Sequence, residues 1–184
     1  MGGSLSPVFK THERYWAGIA VFGDYLPWGV HRANGGDGSN YPEYSGKILD
    51  LKDDKDGATE YFGERIAPEL QDDLVIVTVP SHDPANVGGG LAKLAGLLAK
   101  NGNRIDGAVT LIRTKKIDKL ARGGNRAKEV HLESVKVARP DLIKGRNILL
   151  LDDVTKTGNS LSACSDLLLA AGAKSVECAT IGKT

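Results

Sequence analysis

The sequence predicts an α/β fold: a central, mostly parallel sheet flanked by helices, with a small N-terminal hood. Three observations carry this. Short aliphatic runs recur after residue 73, at 74–79 (LVIVTV), 108–112 (AVTLI), 147–151 (NILLL) and 176–181. Their hydrophobicity is continuous rather than alternating, which suits strands buried on both faces. Between them, residues 86–100 and 160–171 have helical periodicity, and each stretch is followed by a glycine, Gly102 or Gly172, that serves as a stop. Strands that alternate with helices require right-handed crossovers and therefore parallel pairing.

The remaining elements follow in order. Residues 18–26 (GIAVFGDYL) read as a strand, and 31–46, with their Gly and Asn clusters, as loop. Residues 56–70 read as a helix, with Ala58, Phe62, Ile66 and Leu70 spaced four apart. Residues 113–145 read as a long basic connection without a helix, and long connections of this kind are often lids or binding loops. The composition shift near residue 73 divides the chain into an N-terminal hood, 1–73, and a compact core, 74–184. No repeat or low-complexity tract is visible.

Composition narrows the function classes. The 184 residues suit one domain with a small appendage, and 41% hydrophobic with 26% charged residues is ordinary for a globular protein. No apolar run approaches the roughly 20 residues of a membrane span, and MGGSLSPVFKTHERYW has no apolar leader core, so a cytoplasmic protein without membrane contact is expected. Cys164 and Cys178 fit no metal-ligand spacing and read as reduced packing residues. Charge is polarised: residues 1–73 hold 7 Lys+Arg against 13 Asp+Glu, whereas 113–146 hold 11 against 4. That polarity suits an anionic ligand, although charge alone equally describes a solvated basic loop.

Residues 148–164, ILLLDDVTKTGNSLSAC, carry the chemistry. An apolar strand ends in two carboxylates, and a Thr/Lys/Gly/Asn/Ser loop leads into a helix. Ligands of open α/β sheets bind beyond the carboxyl ends of the strands. A helix N-terminus there offers free N–H groups and partial positive charge to a phosphate. Gly158 permits a close turn; Thr155, Thr157 and Ser160 supply hydroxyl donors and Lys156 a cation. Asp152 and Asp153 suit vicinal ribose hydroxyls and a cationic transition state. Together these groups match a ribose 5-phosphate.

The segment resembles the signature with which type I phosphoribosyltransferases bind 5-phosphoribosyl-1-pyrophosphate (PRPP). The resemblance implies a type I phosphoribosyltransferase-like fold in which Asp152 and Asp153 are catalytic and hold the ribose hydroxyls. Thr155, Lys156, Thr157, Gly158, Asn159 and Ser160 would bind the 5-phosphate. Thr155 stands where an aliphatic residue is usual. Lys156 stands where Thr or a small residue is frequent, and where 6-oxopurine enzymes carry an acid, which argues against a hypoxanthine or guanine acceptor. The family holds pyrophosphate in a loop after an earlier strand, often with an unusual peptide, which implies Pro80, Ser81 and His82. The glycine-rich turn that follows is a weak phosphate signal and equally an ordinary turn.

A flexible loop that closes over PRPP is implied for the basic stretch, with Arg113, Lys115, Lys116 and Arg126 as its cations. In order of segments, KILDLKDDKDGATEYFGERIA, VIVTVP, LIRTKK…NRAKEV, the Asp–Asp signature and IGKT, residues 47–184 are most similar to the ComF-type, amidophosphoribosyltransferase-like branch. NVGGGLAKLA replaces that branch's RGFNQ-like stretch, and its four-cysteine zinc element is absent. The resemblance implies transfer of phosphoribose to an unidentified nitrogen acceptor. Mg²⁺ would be held mainly by PRPP, with no protein metal site. Alternatives are a PRPP- or nucleotide-binding regulator without turnover, or a nucleic-acid partner on the basic loop. Dimers are common among such folds. PRPP synthetase has a similar signature, but this chain is too short for its two-domain architecture. Residues 1–46 are expected to form the hood over the acceptor, where Trp16, Trp28, Tyr25 and Tyr41 either stack a base or belong to the core.

Overall fold

The computed structural model describes residues 6–117 and 128–184. A short hairpin, β1 (Tyr15–Trp16) and β2 (Ile19–Val21), precedes three helices, α1 (Trp28–Ala33), α2 (Glu43–Lys52) and α3 (Ala58–Ile66). Then come β3 (Leu74–Thr78), α4 (Gly90–Lys100), β4 (Ile105–Asp106) and β5 (Leu111–Arg113). The chain continues through α5 (Lys128–Ser134), β6 (Val135–Val137), β7 (Asn147–Thr155), α6 (Asn159–Ala170) and β8 (Ser175–Lys183). The main sheet runs β1-β2-β8-β7-β3-β4 and is parallel except at the β1–β2 hairpin. This is the α/β architecture that the strand–helix alternation predicts.

Alternate residues of the central strands face opposite sides, and each side has its own helical layer. On one, Leu149 and Leu151 of β7 and Ile76 of β3 pack with Ile48, Leu51, Phe62, Leu94 and Leu98 from α2, α3 and α4. On the other, Ile148, Leu150, Val75 and Val77 pack with Leu161, Cys164 and Leu168 of α6. Residues before 74 therefore share the main core: Val8 and Phe9 are buried with Leu149, and β2 pairs with β8.

Four local expectations are corrected. Residues 108–112 do not form a strand of the main sheet. Instead β5 pairs antiparallel with β6 in a separate two-stranded sheet, and β4 is the edge of the main one. The cause is Gly107: a Cβ there would lie 2.7 Å from Val75 Cγ1 and 3.0 Å from the Ile76 carbonyl, so the chain crosses tight against β3 and leaves the sheet. Within 31–46, taken as loop, α1 ends at Ala33 and α2 begins at Glu43; Pro27 and Pro42 precede the two helices, an entry signal hidden by the surrounding glycines. Of residues 18–26 only β2 is strand. The connection 113–145 contains α5 and β6.

Among the described residues no helix is long and apolar enough to cross a membrane. Both cysteines are free, and burial pushes the Cys164 thiol up to about 12 and that of Cys178 up to about 11, which suits packing rather than reactivity. The glycine-rich turn before α4 has a packing cause. A Cβ on Gly90 would lie 2.1 Å from the Leu51 carbonyl oxygen, so only glycine lets the first turn of α4 meet the last turn of α2.

Candidate functional site

The connections of β3 and β7 diverge. From β3 the chain passes through α4 on one face and continues outward to β4; from β7 it passes through α6 on the other face and continues outward to β8. Such a reversal opens a crevice at the carboxyl ends of the two strands, where α/β sheets bind ligands. The strands are in register there, Thr78 opposite Leu151, and the Val79 N–H donates to the Leu151 carbonyl at 3.0 Å.

β7 reaches four residues beyond the expected strand end because β8 supplies a matching ladder as far as Thr155 opposite Lys183. The acid pair thus sits on rigid strand. Asp152 is buried, 9% exposed, and Asp153 is half-buried. The Asp153 N–H donates to Asp152 Oδ1 at 2.9 Å, and the Val154 N–H to Asp153 Oδ1 at 2.6 Å. Lys52, from the end of α2, places Nζ 3.0 Å from Asp153 Oδ2. Burial, then the neighbouring Asp153 charge, raises the Asp152 carboxyl well above the usual carboxylate range, against the opposing pull of Lys52. Burial works against the charge on Lys52, but Asp153 foremost, with Asp152 and Tyr25, lifts its pKa above the usual lysine value.

The loop after β7 closes tightly. Thr155 is buried and its Oγ1 accepts the Gly158 N–H at 3.0 Å. Gly158 takes φ +77°, a left-handed conformation, and caps the 12-residue α6. Lys156 and Thr157 are exposed, and Asn159 and Ser160 half-buried in the first turn of the helix. All six predicted phosphate-loop residues thus gather at one helix N-terminus.

Pro80, Ser81 and His82 follow β3 into the same crevice. No peptide bond among the described residues is cis. The four basic residues grouped as loop cations separate. Arg113 is buried in β5, 7% exposed, and donates to the Ser81 carbonyl at 2.9 Å, the Pro80 carbonyl at 3.2 Å and Ser134 Oγ at 2.6 Å. Lys116 lies 2.6 Å from Asp83, whose carboxyl it holds below the ordinary range, and the Ile117 N–H donates to the His82 carbonyl at 3.1 Å. Lys115 stands at the surface, 3.9 Å from Glu133. Arg126 lies outside the described residues.

Residues 60–183 match the family described as the Phosphoribosyl transferase domain. The chain belongs to this family. Similar solved structures include a phosphoribosylpyrophosphate synthetase from Mycobacterium smegmatis, 24% identical with a TM-score of 0.33, over 66% of this chain and 31% of that one. A hypoxanthine phosphoribosyltransferase from Staphylococcus aureus is 16% identical with a TM-score of 0.35, over 72% of this chain and 62% of that one. A purine phosphoribosyltransferase from Pyrococcus horikoshii Ot3 is also 16% identical with a TM-score of 0.35, over 89% and 88%. The chain therefore spans about a third of the synthetase and under two thirds of the staphylococcal enzyme. No curated protein matches.

Lys52 lies before the matched residues 60–183 and reaches the crevice from the end of α2. Lys52 escaped the sequence reading because an exposed-looking Lys-Asp-Asp-Lys run hides which lysine turns inward. Tyr25 lies beside it, its ring centroid 5.9 Å from Lys52 Nζ. The other aromatics divide. Trp28 and Tyr41 pack edge-to-face at 5.0 Å, and the Tyr41 hydroxyl donates to the Leu26 carbonyl at 2.6 Å. Trp16 lies beneath Lys183 Nζ at 4.4 Å and, with Gly158, Asn159, Ser162 and Asp166, lines a cavity of about 360 Å³ beside the start of α6. Among the described residues no group of three or more His, Cys, Asp or Glu side chains is arranged to hold a metal ion.

Proposed function

We propose that this phosphoribosyl transferase domain takes the magnesium complex of PRPP, transfers its phosphoribosyl group to a nitrogen acceptor and releases pyrophosphate. The observation that carries this reading is the placement of the acid pair, the Thr155–Ser160 loop and the Pro80–His82 loop around one crevice between β3 and β7. The span suits a ligand with a phosphate at one end, a sugar in the middle and a second anion at the other.

In this reading the N–H groups of the first turn of α6 and the side chains of Thr155, Lys156, Thr157, Asn159 and Ser160 hold the 5-phosphate. Asp152 and Asp153 accept the ribose hydroxyls. In the Pro80–His82 loop, the Ser81 and His82 backbone N–H groups meet the pyrophosphate. The bond between C1 and the pyrophosphate oxygen breaks, with its electron pair leaving on the pyrophosphate. The acceptor nitrogen gives its lone pair to C1 and passes its proton to the departing pyrophosphate or to water. Positive charge on the ribosyl ring in the transition state is stabilised by the adjacent Asp153 carboxylate, which is paired with Lys52 in the free chain. Lys115, Lys116 and Arg126 would close over the leaving group and exclude water, which otherwise competes as the acceptor. The 1–73 segment forms the hood through Tyr25 and Lys52, and Lys156 disfavours a 6-oxopurine acceptor. The order of the LIRTKK, NRAKEV and IGKT stretches supports placing the chain in the ComF-type branch.

A second reading, a PRPP sensor without turnover, is favoured by one contact: Lys52 already occupies Asp153, the carboxylate a ribose hydroxyl needs. A nucleic-acid surface has less support, because Lys115, Lys116 and Lys128 each face an acid of the same chain, Glu133, Asp83 and Asp166. The test is to incubate the full chain with PRPP, Mg²⁺ and a panel of bases and amines and to measure pyrophosphate release. Acceptor-dependent release is expected. Calorimetric binding without release would select the sensor, and no PRPP binding would overturn both readings.

A further inference from the structure

Arg113 closes β5, yet its guanidinium is buried and committed to three hydrogen bonds. Two of them go to consecutive carbonyls of one loop, Pro80 at 3.2 Å and Ser81 at 2.9 Å. The guanidinium is a rigid plane, so it fixes both carbonyls relative to each other. In a planar trans peptide the N–H points opposite to the C=O. Drawing the Pro80 and Ser81 carbonyls toward Arg113 therefore turns the Ser81 and His82 N–H groups away from it. Successive N–H groups aimed to one side make a concave anion site out of backbone alone.

The third hydrogen bond ties this loop to the base of the basic segment. Arg113 Nη1 donates to Ser134 Oγ at 2.6 Å, and Ser134 Oγ donates in turn to the Val130 carbonyl at 2.5 Å. Thr114 seals the same corner, donating through its N–H and its hydroxyl to the Ser134 carbonyl at 2.8 and 3.1 Å. The segment that leaves β5 and returns through α5 is thus pinned, at both feet, to the group that orients the 80–82 loop. Nearby His131 is buried, and neither ring nitrogen has a hydrogen-bond partner. Burial, then Arg113, lowers its pKa, so it stays neutral and adds no competing charge.

We propose that Arg113 is a positioning residue that touches no ligand and orients the amides of Ser81 and His82 toward the pyrophosphate of the substrate. This rests on reading residues 80–82 as the pyrophosphate loop. It replaces the expectation that Arg113 is a mobile cation meeting the leaving group directly.

The test compares two ligands by calorimetry on the full chain with Mg²⁺: PRPP, which spans both loops, and ribose 5-phosphate, which lacks the pyrophosphate. The variants are Arg113→Lys, Arg113→Met and Ser134→Ala, each with its thermal midpoint measured. Both Arg113 variants are expected to weaken PRPP at least about tenfold while ribose 5-phosphate stays within about twofold. A lysine at 113 keeps the charge but cannot hold two carbonyls in one plane, so wild-type PRPP affinity in Arg113→Lys would overturn the proposal. Equal losses for the two ligands would overturn it as well, by showing a general structural role. Should both Arg113 variants fail to fold, Ser134→Ala decides: a selective loss of PRPP affinity supports the proposal and no selective loss overturns it. If the wild-type chain binds PRPP no more tightly than ribose 5-phosphate, the pyrophosphate-loop reading itself fails, and the inference with it.

Discussion

The two halves of the crevice are built in opposite ways. The half proposed to hold ribose and phosphate is one contiguous stretch, from the acid pair to the first turn of α6. The half proposed for pyrophosphate is assembled from distant chain: Arg113 reaches 32 and 33 residues back to Ser81 and Pro80 and 21 residues forward to Ser134. The first is held by local rules, namely a strand end, a left-handed glycine and a helix N-terminus. The second exists only once the whole sheet has formed. Substitutions in the first half should therefore act on ligand binding directly, and those in the second through the shape of a loop.

The sharpest test of the contiguous half is Asp152→Asn with Asp153→Asn. Amides at both positions should weaken ribose 5-phosphate and PRPP alike, by about a hundredfold or more, since the change removes the charged acceptor Asp153 and hydrogen bonds to charged acceptors are the strong ones. Calorimetry reads this, and a double variant that still binds ribose 5-phosphate like the wild type would remove the acid pair from the site.

Glycine substitutions come next and separate the site from the scaffold. Gly158→Ala puts a side chain at φ +77° with its Cβ 3.0 Å from Ile19 Cδ1. A loss of about 1–2 kcal/mol in stability is expected, together with weaker ribose 5-phosphate binding, because the first turn of α6 is displaced. Gly90→Ala forces α4 off the Leu51 carbonyl and should cost about 1–3 kcal/mol. Denaturant titration measures both. A Gly158→Ala chain with unaltered ribose 5-phosphate affinity would show that this turn does not shape the phosphate loop.

These contrasts also explain what was legible in the sequence. The contiguous half was readable because strand, acids, glycine and helix start lie within a few residues, and each element has a local signature. Arg113 was visible as a basic residue, but its role was not. Its partners are main-chain carbonyls, which leave no mark in a sequence, and Ser134 lies across a segment whose helix is short. Residues 108–112 looked like a central strand because AVTLI has the right composition; only the tight passage of Gly107 over Val75 and Ile76 diverts it. Lys52 was hidden among exposed charges, since inward orientation depends on the packing of Leu51 and Ile48 beneath it.

A smaller effect concerns pH. The folded-state pKa of Asp152 lies above its unfolded value, first through burial and then through Asp153. Between the two values the folded chain holds the proton and the unfolded chain has lost it, so stability falls as pH rises across that window and stays low above it. Lys52 and Arg113 oppose the shift, while Asp153, Cys164 and Cys178 face the same carboxyl. Asp152→Asn has no such proton to lose. Its thermal midpoint should exceed the wild type's by about 2 °C or more at the upper end of the window and converge with it at low pH. A wild-type midpoint that rises with pH there would show Asp152 to be ionised in the folded chain.

The smallest expected effect lies on the rim of the assembled half. Lys116 pairs with Asp83 at 2.6 Å, next to His82, but its side chain is largely exposed. Exposed pairs contribute little and are screened by salt. Lys116→Ala should therefore weaken PRPP by no more than about threefold in low salt, with the difference fading as ionic strength rises. Arg113→Lys, whose change is buried, should lose affinity to the same degree at every ionic strength. That contrast separates a rim charge from a buried support in one titration series. If the Lys116→Ala loss were large and indifferent to salt, Lys116 would belong to the frame of the loop rather than to its edge, and the half proposed for pyrophosphate would rest on two supports instead of one.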